Sequence, residues 1–254
     1  MASLAPDILF QIGSLPITNT IINTIFVDTL IIGGALAIKK NISKIPGMFQ
    51  NIFEVIVKTL YDLTESVAGE NTAKIFPYFI TFFLFILVAN WSGILPGAES
   101  IGFVHHGEHE NEIISLSRNL TSDLNATLAL ALISLVATHM LSIKKLGVKE
   151  YLGRFFSINP ILLFVGILEI VSEFTKIISL SFRLFGNIFA GEVVLGTISK
   201  LFAFVFPIPF IFLELIVGLV QALVFSMLTM AFMSVLMTSH HEEKHEAAKE
   251  VSYS

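Results

Sequence analysis

The feature that most constrains this fold is an apolar run in the second half of the chain, which extends from Ile161 to about Ile198 without a proline. A continuous helix of about 37 residues would be about 55 Å long at about 1.5 Å per residue. The hydrocarbon core of a bilayer is only about 30 Å thick. In a membrane, this run therefore predicts a helix that tilts steeply or breaks.

Composition places the chain in a membrane. Hydrophobic residues make up 54% of the 254 residues and charged residues only 14%, which is far from the average of soluble proteins. There is no cysteine, so neither a disulfide framework nor a thiolate metal site is available. No basic patch indicates nucleic acid, and we expect no cofactor. The composition predicts an all-α integral membrane protein.

The charges at the ends of the apolar segments predict the topology. Lys39, Lys40 and Lys44 follow the first predicted span, and Lys144 and Lys145 follow the third. Cytoplasmic ends of spans carry an excess of basic residues, so we place the amino terminus outside and the carboxyl terminus in the cytoplasm. The chain then makes five crossings, at residues 20–38, 74–95, 124–143, 161–198 and 209–238.

We interpret the chain as a single membrane domain with two short extensions. Residues 1–19 form an outer segment, residues 20–238 contain the membrane helices, and residues 239–254 form a cytoplasmic tail. Pro77 is expected to open the second span, because proline is tolerated in the first turn of a helix. The last two helices are both too long to stand upright in a bilayer.

The segment 47–70 differs from the spans because charged residues fill one side of it. Apolar residues recur on the other side at helical spacing, at Phe49, Ile52, Phe53, Ile56, Leu60, Leu63 and Val67. This pattern predicts an amphipathic helix that lies in the membrane interface. A soluble hairpin packed on a partner is the alternative.

The segment 96–123 is a polar loop that we place outside the membrane. It carries five carboxylates against a single basic residue, Arg118. His105, His106 and His109 raise the alternative of a metal site, but they lack an ordered ligand spacing on a defined element. We therefore interpret the segment as a solvated loop and expect no metal.

Arg183 stands in the middle of the long apolar run, with no acidic residue beside it in sequence. A cation at the centre of a bilayer costs about 2.5–3.5 kcal/mol on insertion scales. A cost of that size indicates a charge that faces a partner, a cavity or an ion path. The alternative, an arginine that snorkels to the headgroups, requires it to lie near a helix end, whereas apolar sequence flanks it on both sides.

Arg183 belongs to a stripe along one face of the predicted helix. At about 100° per residue, the members fall within about 40° of Arg183. They are Glu169, Ser172, Lys176, Ser179, Arg183, Asn187 and Ala190. Such a stripe lines water or a polar partner. A hydrogen-bonded seam between helices would explain the serines and the asparagine, but not the charged residues.

Two further acids lie in the last two helices. Glu192 falls about 180° from Arg183, so it faces a different neighbour, and Glu214 shares a face of the last helix with Gln221. Buried carboxyls on antiparallel neighbours would form a plausible proton relay, since desolvation favours their neutral form. A structural hydrogen bond is the alternative.

At these residues the chain resembles a known family. The motif SLSFRLFGNIFAGE at 179–192, followed by Glu214 and Gln221, is similar to subunit a of the rotary F-type ATP synthase, the stator of the Fo proton motor. The segment TSDLNATLALAL at 121–132 resembles the outer-loop-to-helix segment of that family. The resemblance covers about residues 20–238.

The resemblance implies roles for residues around the arginine. Arg183 matches the stator arginine that faces the carboxylate of each passing c-subunit, and Asn187 and Gln221 match its polar neighbours. Glu192 and Glu214 match positions in the half-channel that opens to the outside. Some members of the family carry histidine at the position of Glu214, so the acid is a variant within the pattern.

The resemblance also implies roles nearer the two membrane surfaces. Glu169 and Ser172 match positions in the cytoplasmic half-channel. Asn90, Asp123 and Asn125 match polar positions towards the outer side. The implied partners are the c-subunit ring, the b-subunit peripheral stalk, the rest of the complex and membrane lipid, in a bacterial plasma membrane. The chain contains no G-x4-G-K-[ST] motif, so we expect a non-catalytic, proton-translocating subunit.

Two other classes fit parts of the pattern. A secondary transporter with an arginine-anchored anion would have discontinuous helices and internal repeats, and no repeat is visible in the sequence. An intramembrane enzyme would need a nucleophile–base pair or a metal motif such as H-E-x-x-H, and none occurs within a predicted span.

Overall fold

The computed structural model describes residues 6–13, 15–43, 46–94, 102–106, 111–115, 118–155, 160–201 and 206–238. Over these ranges the chain forms seven α-helices and two β-hairpins. The helices are α1 (Asn19–Asn41), α2 (Met48–Ala68), α3 (Thr72–Ile94), α4 (Leu124–Leu146), α5 (Val148–Phe155), α6 (Pro160–Leu201) and α7 (Pro207–Met237). The strands are β1 (Ile8–Ile12), β2 (Leu15–Thr18), β3 (Gly102–His106) and β4 (Asn111–Ser115).

The prediction of a mainly helical chain is confirmed, and α5 and the two hairpins are additions to it. The antiparallel strand pairs β1–β2 and β3–β4 both lie in segments that the sequence places outside the membrane. Strand edges are tolerated there, because water can bond the backbone groups that lipid would leave without partners. Gly13, with φ of 66°, makes the left-handed turn after β1.

Local signals explain where several helices begin and end. The Asp123 side chain accepts a hydrogen bond from the backbone N–H of Asn125 at 2.9 Å, which caps α4. Gly69 and Gly147 end α2 and α4 with positive φ values of 52° and 84°. The prediction for Pro77 is wrong, because α3 begins at Thr72 and Pro77 lies inside it. Pro77 is the sixth residue of α3, beyond the first turn, so its missing N–H leaves the helix without one backbone hydrogen bond.

The core of the molecule lies between α3, α4, α6 and α7. The most extensive packing is between α3 and α7, where Phe79 and Phe225 are fully buried. On α6, Leu184 and Ile188 face this core, whereas the outer faces of the helices expose large apolar side chains such as Phe174 and Phe182. An apolar exterior of this kind is matched by lipid rather than by water.

Four helical segments of the described chain are long and apolar enough to cross a membrane. They are Asn19–Asn41, Met48–Ile94, Leu124–Leu146 and Pro207–Met237. The long run also forms a continuous helix, as predicted, since α6 contains 42 residues. The predicted number of five crossings, with α6 as one of them, stays a prediction.

The amphipathic segment forms α2, as its periodicity predicts. Only its second half packs on the bundle, through Leu60, Thr64 and Ala68. The Ser234 hydroxyl of α7 donates to the Val67 carbonyl at 3.1 Å. The first half leaves Phe49 82% exposed, so an apolar surface projects from the bundle. The interfacial position of α2 stays a prediction.

Candidate functional site

The stripe predicted from helical periodicity forms one outward face of α6. Ser172, Ser179, Arg183, Asn187 and Ala190 are exposed on it. Glu169 and Lys176 lie at its edges and are half-buried. The buried face of α6 lies to one side of the stripe, which borders α7 through Asn187 and Lys176 and leaves its five exposed members uncovered by the described residues. The stripe is therefore available to another molecule.

Arg183 lies at the centre of this exposed face. Its Nη2 atom donates a hydrogen bond to Ser179 Oγ at 3.3 Å, one turn earlier on α6. Among the residues that the structure describes, no carboxylate lies within ion-pair distance of the guanidinium. An arginine at membrane depth normally faces a cavity or an opposite charge. Within the described part of the chain, Arg183 therefore has no negative partner.

A side-chain hydrogen bond links the stripe to α7. Asn187 Nδ2 donates to Gln221 Oε1 at 2.8 Å. Gln221 is buried, at 4% exposure, whereas Asn187 is exposed one turn after Arg183. The bond therefore fixes an amide beside the guanidinium and ties the two long helices together at this level.

Glu214 lies against the backbone of α6 next to Glu192. It is 7% exposed, and a Cβ atom built on Gly191 would lie 3.1 Å from its Oε1 atom. A side chain at Gly191 would displace the carboxyl group, so the glycine permits this close approach. Glu192 is half-buried. The structure thus brings Glu214 beside the residue that precedes Glu192, away from the exposed stripe.

Asn90 is the centre of a buried polar cluster between α3, α7 and the segment before α4. Its Nδ2 atom donates to the Gly218 carbonyl at 2.9 Å, and its Oδ1 atom accepts from Thr121 Oγ1 at 2.7 Å. Gly218 lies between Glu214 and Gln221 on α7. Asn90 is therefore joined to the helix that carries two of the predicted site residues.

Asp123 and Asn125 have different environments, although both were predicted for the outer side. Asp123 is 5% exposed and its Oδ2 atom accepts from Thr20 Oγ1 at 3.3 Å. Asn125 contributes its backbone N–H to the cap, and its side chain is exposed. The structure therefore joins Asp123, but not the Asn125 side chain, to the buried cluster.

The cluster also contains residues that the sequence interpretation missed. Asn23 of α1 donates from Nδ2 to the Arg118 carbonyl at 2.8 Å, and its Oδ1 atom accepts from Ser92 Oγ at 3.1 Å. Arg118 itself is buried, at 9% exposure. The prediction of a solvated loop is therefore wrong for residues 118–123, because polar partners on α1 and α3 bury them. The cap pattern before α4 was the one signal for this.

A second missed group lies beside the stripe, where α6 packs against α4 and α5. Glu173 is 7% exposed, its Oε1 atom lies 2.8 Å from Lys176 Nζ, and its Oε2 atom lies 3.8 Å from His139 Nε2. The Tyr151 hydroxyl is 2.7 Å from His139 Nδ1. Glu169 and Ser172, which were predicted here, lie nearer the exposed face. The spacing of three residues between Glu173 and Lys176 is an ion-pair signal that could have identified this acid.

The histidines of the outer segment do not change this picture. In the backbone register of β3 and β4, His105 lies opposite Glu112 and His106 lies opposite Asn111. His109 lies outside the described residues. Within the described ranges, no group of three metal-ligating side chains is close enough to hold an ion. The site is thus built from hydrogen-bonding and titratable side chains.

The fold and the site together define a helical integral membrane protein with an exposed charged face on α6 and buried polar groups beside it. The sequence model of a protein family described as ATP synthase A chain matches residues 20–234. The chain belongs to this family. It is therefore a multi-pass membrane subunit of an ATP synthase, part of the proton-translocating Fo component rather than of the catalytic part.

Proposed function

We propose that this chain is the stator of the rotary membrane motor, and that Arg183 faces the carboxylates of a c-subunit ring. The observation that carries the proposal is the position of Arg183. It lies at the centre of an outward face of α6, and no carboxylate of the described residues neutralises it. A passing ring carboxylate supplies the missing negative charge.

On the outer side, the proposed half-channel runs through the buried polar cluster to the two acids of α6 and α7. A proton from outside reaches the region of Asn90, Asp123 and Asn125. It then passes Glu214 and Glu192 to a ring carboxylate. The hydrogen bond between Asn90 and Gly218, on the helix that carries Glu214, supports this route. Once neutral, the ring carboxyl can enter lipid, which strongly disfavours the ionised form.

On the cytoplasmic side, the proposed half-channel begins at Glu169 and Ser172. After nearly a full turn, the ring carboxyl loses its proton towards these residues. Arg183 then favours the ionised carboxylate by Coulomb attraction. The fixed positive charge also repels protons, so it prevents a direct leak between the two paths. Each elementary charge that crosses 100 mV releases about 2.3 kcal/mol, so several protons are needed for each ATP.

The proposed topology has five crossings, and the amphipathic helix α2 lies in the interface. The amino terminus, including residues 1–19, is outside, and the tail 239–254 is cytoplasmic, in a bacterial plasma membrane. Lys39 and Lys40 in the last turn of α1, and Lys144 and Lys145 in the last turn of α4, support this orientation. The b-subunit peripheral stalk and lipid cover the surfaces that the ring leaves free.

The alternative of a secondary transporter is less well supported. That class builds its substrate site from discontinuous helices. In this chain α6 is continuous over 42 residues and α7 over 31 residues. Both helices that carry the charged and amide groups are therefore unbroken, which favours the motor.

The experiment that tests the proposal is the substitution Arg183→Ala in the complete complex. We expect the complex to assemble and ATP-driven acidification of inverted vesicles to be lost. Arg183→Lys should restore coupling only in part, because a buried lysine can lose its proton whereas arginine does not. Vesicles with Arg183→Ala that still acidify on addition of ATP would refute the proposed role.

A further inference from the structure

The proposed motor leaves one cluster of titratable side chains without a role. His139 of α4, Tyr151 of α5 and Glu173 of α6 meet between the three helices, at the ends that the lysines of α4 place in the cytoplasm. Glu173 falls about 80° from Arg183 around the helix. It is therefore outside the exposed stripe and turned towards α4.

The contacts of the imidazole suit it to proton exchange. Its Nε2 atom faces the Glu173 carboxylate at 3.8 Å, and its Nδ1 atom lies 2.7 Å from the Tyr151 hydroxyl. A phenol hydroxyl both donates and accepts, so the bond to Tyr151 is compatible with either imidazole tautomer. The imidazole of His139 can therefore bind a proton on one nitrogen and release one from the other without losing its hydrogen bond to Tyr151.

A cavity adjoins the cluster. It has a volume of about 350 Å³ and is lined by His139, Tyr151 and Glu173 together with apolar side chains such as Leu152 and Phe174. Most of its wall is apolar, so the polar side chains of the cluster are the groups that can bond water in it. The cavity lies between α4, α5 and α6, so it is separate from the exposed face that carries Arg183.

The charged groups around the imidazole come from one helix. They are the carboxylates of Glu173 and Glu169 and the ammonium group of Lys176. Lys176 is held by Glu173 and lies 4.5 Å from the centre of the Phe232 ring of α7. Tyr151 is the titratable group that α5 adds. Histidine is the side chain that exchanges protons near neutral pH, so the cluster combines a proton carrier with a buried acceptor.

We infer that His139 is a proton-exchanging group at the cytoplasmic mouth of the exit path, and that it transfers protons between the water of this cavity and Glu173. The inference rests on the proposed motor. In the direction of ATP hydrolysis, the imidazole takes a proton from hydronium in the cavity water and becomes imidazolium. Its Nε2 proton then passes to the Glu173 carboxylate through a bridging water, because Nε2 and Oε2 are 3.8 Å apart. The imidazole is then neutral again and the Glu173 carboxyl is protonated. In the direction of synthesis the same transfers run in reverse.

The test is the rate of ATP hydrolysis by the complete complex in vesicles whose proton gradient an uncoupler has collapsed. Hydrolysis then draws protons from the cytoplasmic side, and their capture becomes limiting when they are scarce. We expect His139→Gln to slow hydrolysis about tenfold at about pH 8. This is less than the 10²–10⁴-fold effect typical of positioned proton-transfer groups, because Glu173 remains as a proton acceptor. At about pH 6 we expect less than a twofold loss, because protons are plentiful.

Chemical rescue separates proton exchange from a structural role. Glutamine nearly fills the space of the lost ring, so the rescue uses His139→Ala, in which imidazole added to the medium should restore most of the rate at the higher pH. Pyrazole has the same shape but does not carry protons near neutral pH, so it should not restore the rate. Met140→Gln puts a glutamine side chain on the exposed face of α4 and should leave the rate unchanged.

The outcomes that overturn the inference are distinct from those that overturn the motor. The inference is overturned if His139→Gln hydrolyses ATP at the wild-type rate at both pH values. It is also overturned if the loss of rate is equal at both pH values and neither imidazole nor pyrazole restores the rate of His139→Ala. Arg183→Ala is assayed for ATP-driven acidification in parallel. If that variant is inactive while His139→Gln behaves as the wild type, only the inference fails. If Arg183→Ala still acidifies vesicles, the motor itself fails.

Discussion

The hydrogen bond between Asn187 and Gln221 ties the two long helices together beside Arg183, and its strength is measurable. The perturbation is a double-mutant cycle with Asn187→Ala, Gln221→Ala and the double variant. Each single substitution removes the bond, so the double variant should be more stable than the sum of the two losses implies. Gln221→Ala should be the more costly single change, because this side chain is buried and its truncation also leaves a cavity.

The size of the coupling follows from the geometry of the bond. Hydrogen bonds between helices in membranes contribute about 0.6 kcal/mol on average and about 1.7 kcal/mol at most. The separation of 2.8 Å is short and one partner is buried, but the other partner is exposed. We therefore expect a coupling energy of about 1 kcal/mol. Since about 1.4 kcal/mol corresponds to a factor of ten, this is about a fivefold change in the unfolding equilibrium.

The assay is reversible unfolding of the purified chain from mild detergent into SDS, followed by circular dichroism. As a negative control, the cycle between Asn187→Ala and Ser142→Ala should show a coupling within about 0.5 kcal/mol of zero, because Ser142 bonds instead to the Leu236 carbonyl. A coupling for Asn187 and Gln221 no larger than this control would refute the reasoning.

Two further substitutions test the contacts of α7. Gly218→Ala places a methyl group 3.1 Å from Asn90 Cβ, so we expect it to lower the free energy of unfolding by about 1–3 kcal/mol relative to Gly34→Ala, which meets nothing within 4 Å. The same SDS titration measures this, and equal effects of the two variants would contradict the close packing. Glu214→Gln keeps the shape but cannot ionise, so we expect ATP-driven proton flux to fall at least tenfold, within the range for proton-transfer groups. Undiminished flux would remove Glu214 from the path.

The sequence was sufficient to predict the long helices and the exposed polar stripe of α6, but not the short helix α5. Apolar length and helical periodicity are local properties, so the stripe around Arg183 could be assigned to one face before any neighbour was known. Glu173 was not predicted because it lies about 80° from Arg183 around the helix, outside the range of about 40° that defines the stripe. Its role depends on His139 and Tyr151, and no periodicity within α6 indicates which helix packs against it.

The outer polar cluster shows the same limit. Asn90 and Asp123 were predicted from the family resemblance, but Asn23 and Arg118 come close only because α1 packs beside α3 and the segment before α4. The burial of Arg118 could not be foreseen from a polar loop composition. Burial of this kind depends on long-range packing. That packing supplies hydrogen-bond partners within the protein for polar groups that the composition predicts to be bonded to water.

The measurement that tests the central claim most directly is disulfide cross-linking to the ring in the assembled complex. The chain has no cysteine of its own, so Ser179→Cys and Ser181→Cys form a matched pair on opposite sides of α6. Ser179 lies on the exposed stripe beside Arg183, whereas Ser181 is fully buried and bonds to Thr127. With a cysteine next to the ring carboxylate, we expect Ser179→Cys to cross-link and Ser181→Cys not to. Cross-linking of Ser181→Cys in preference to Ser179→Cys, or of neither, would contradict a ring-facing Arg183.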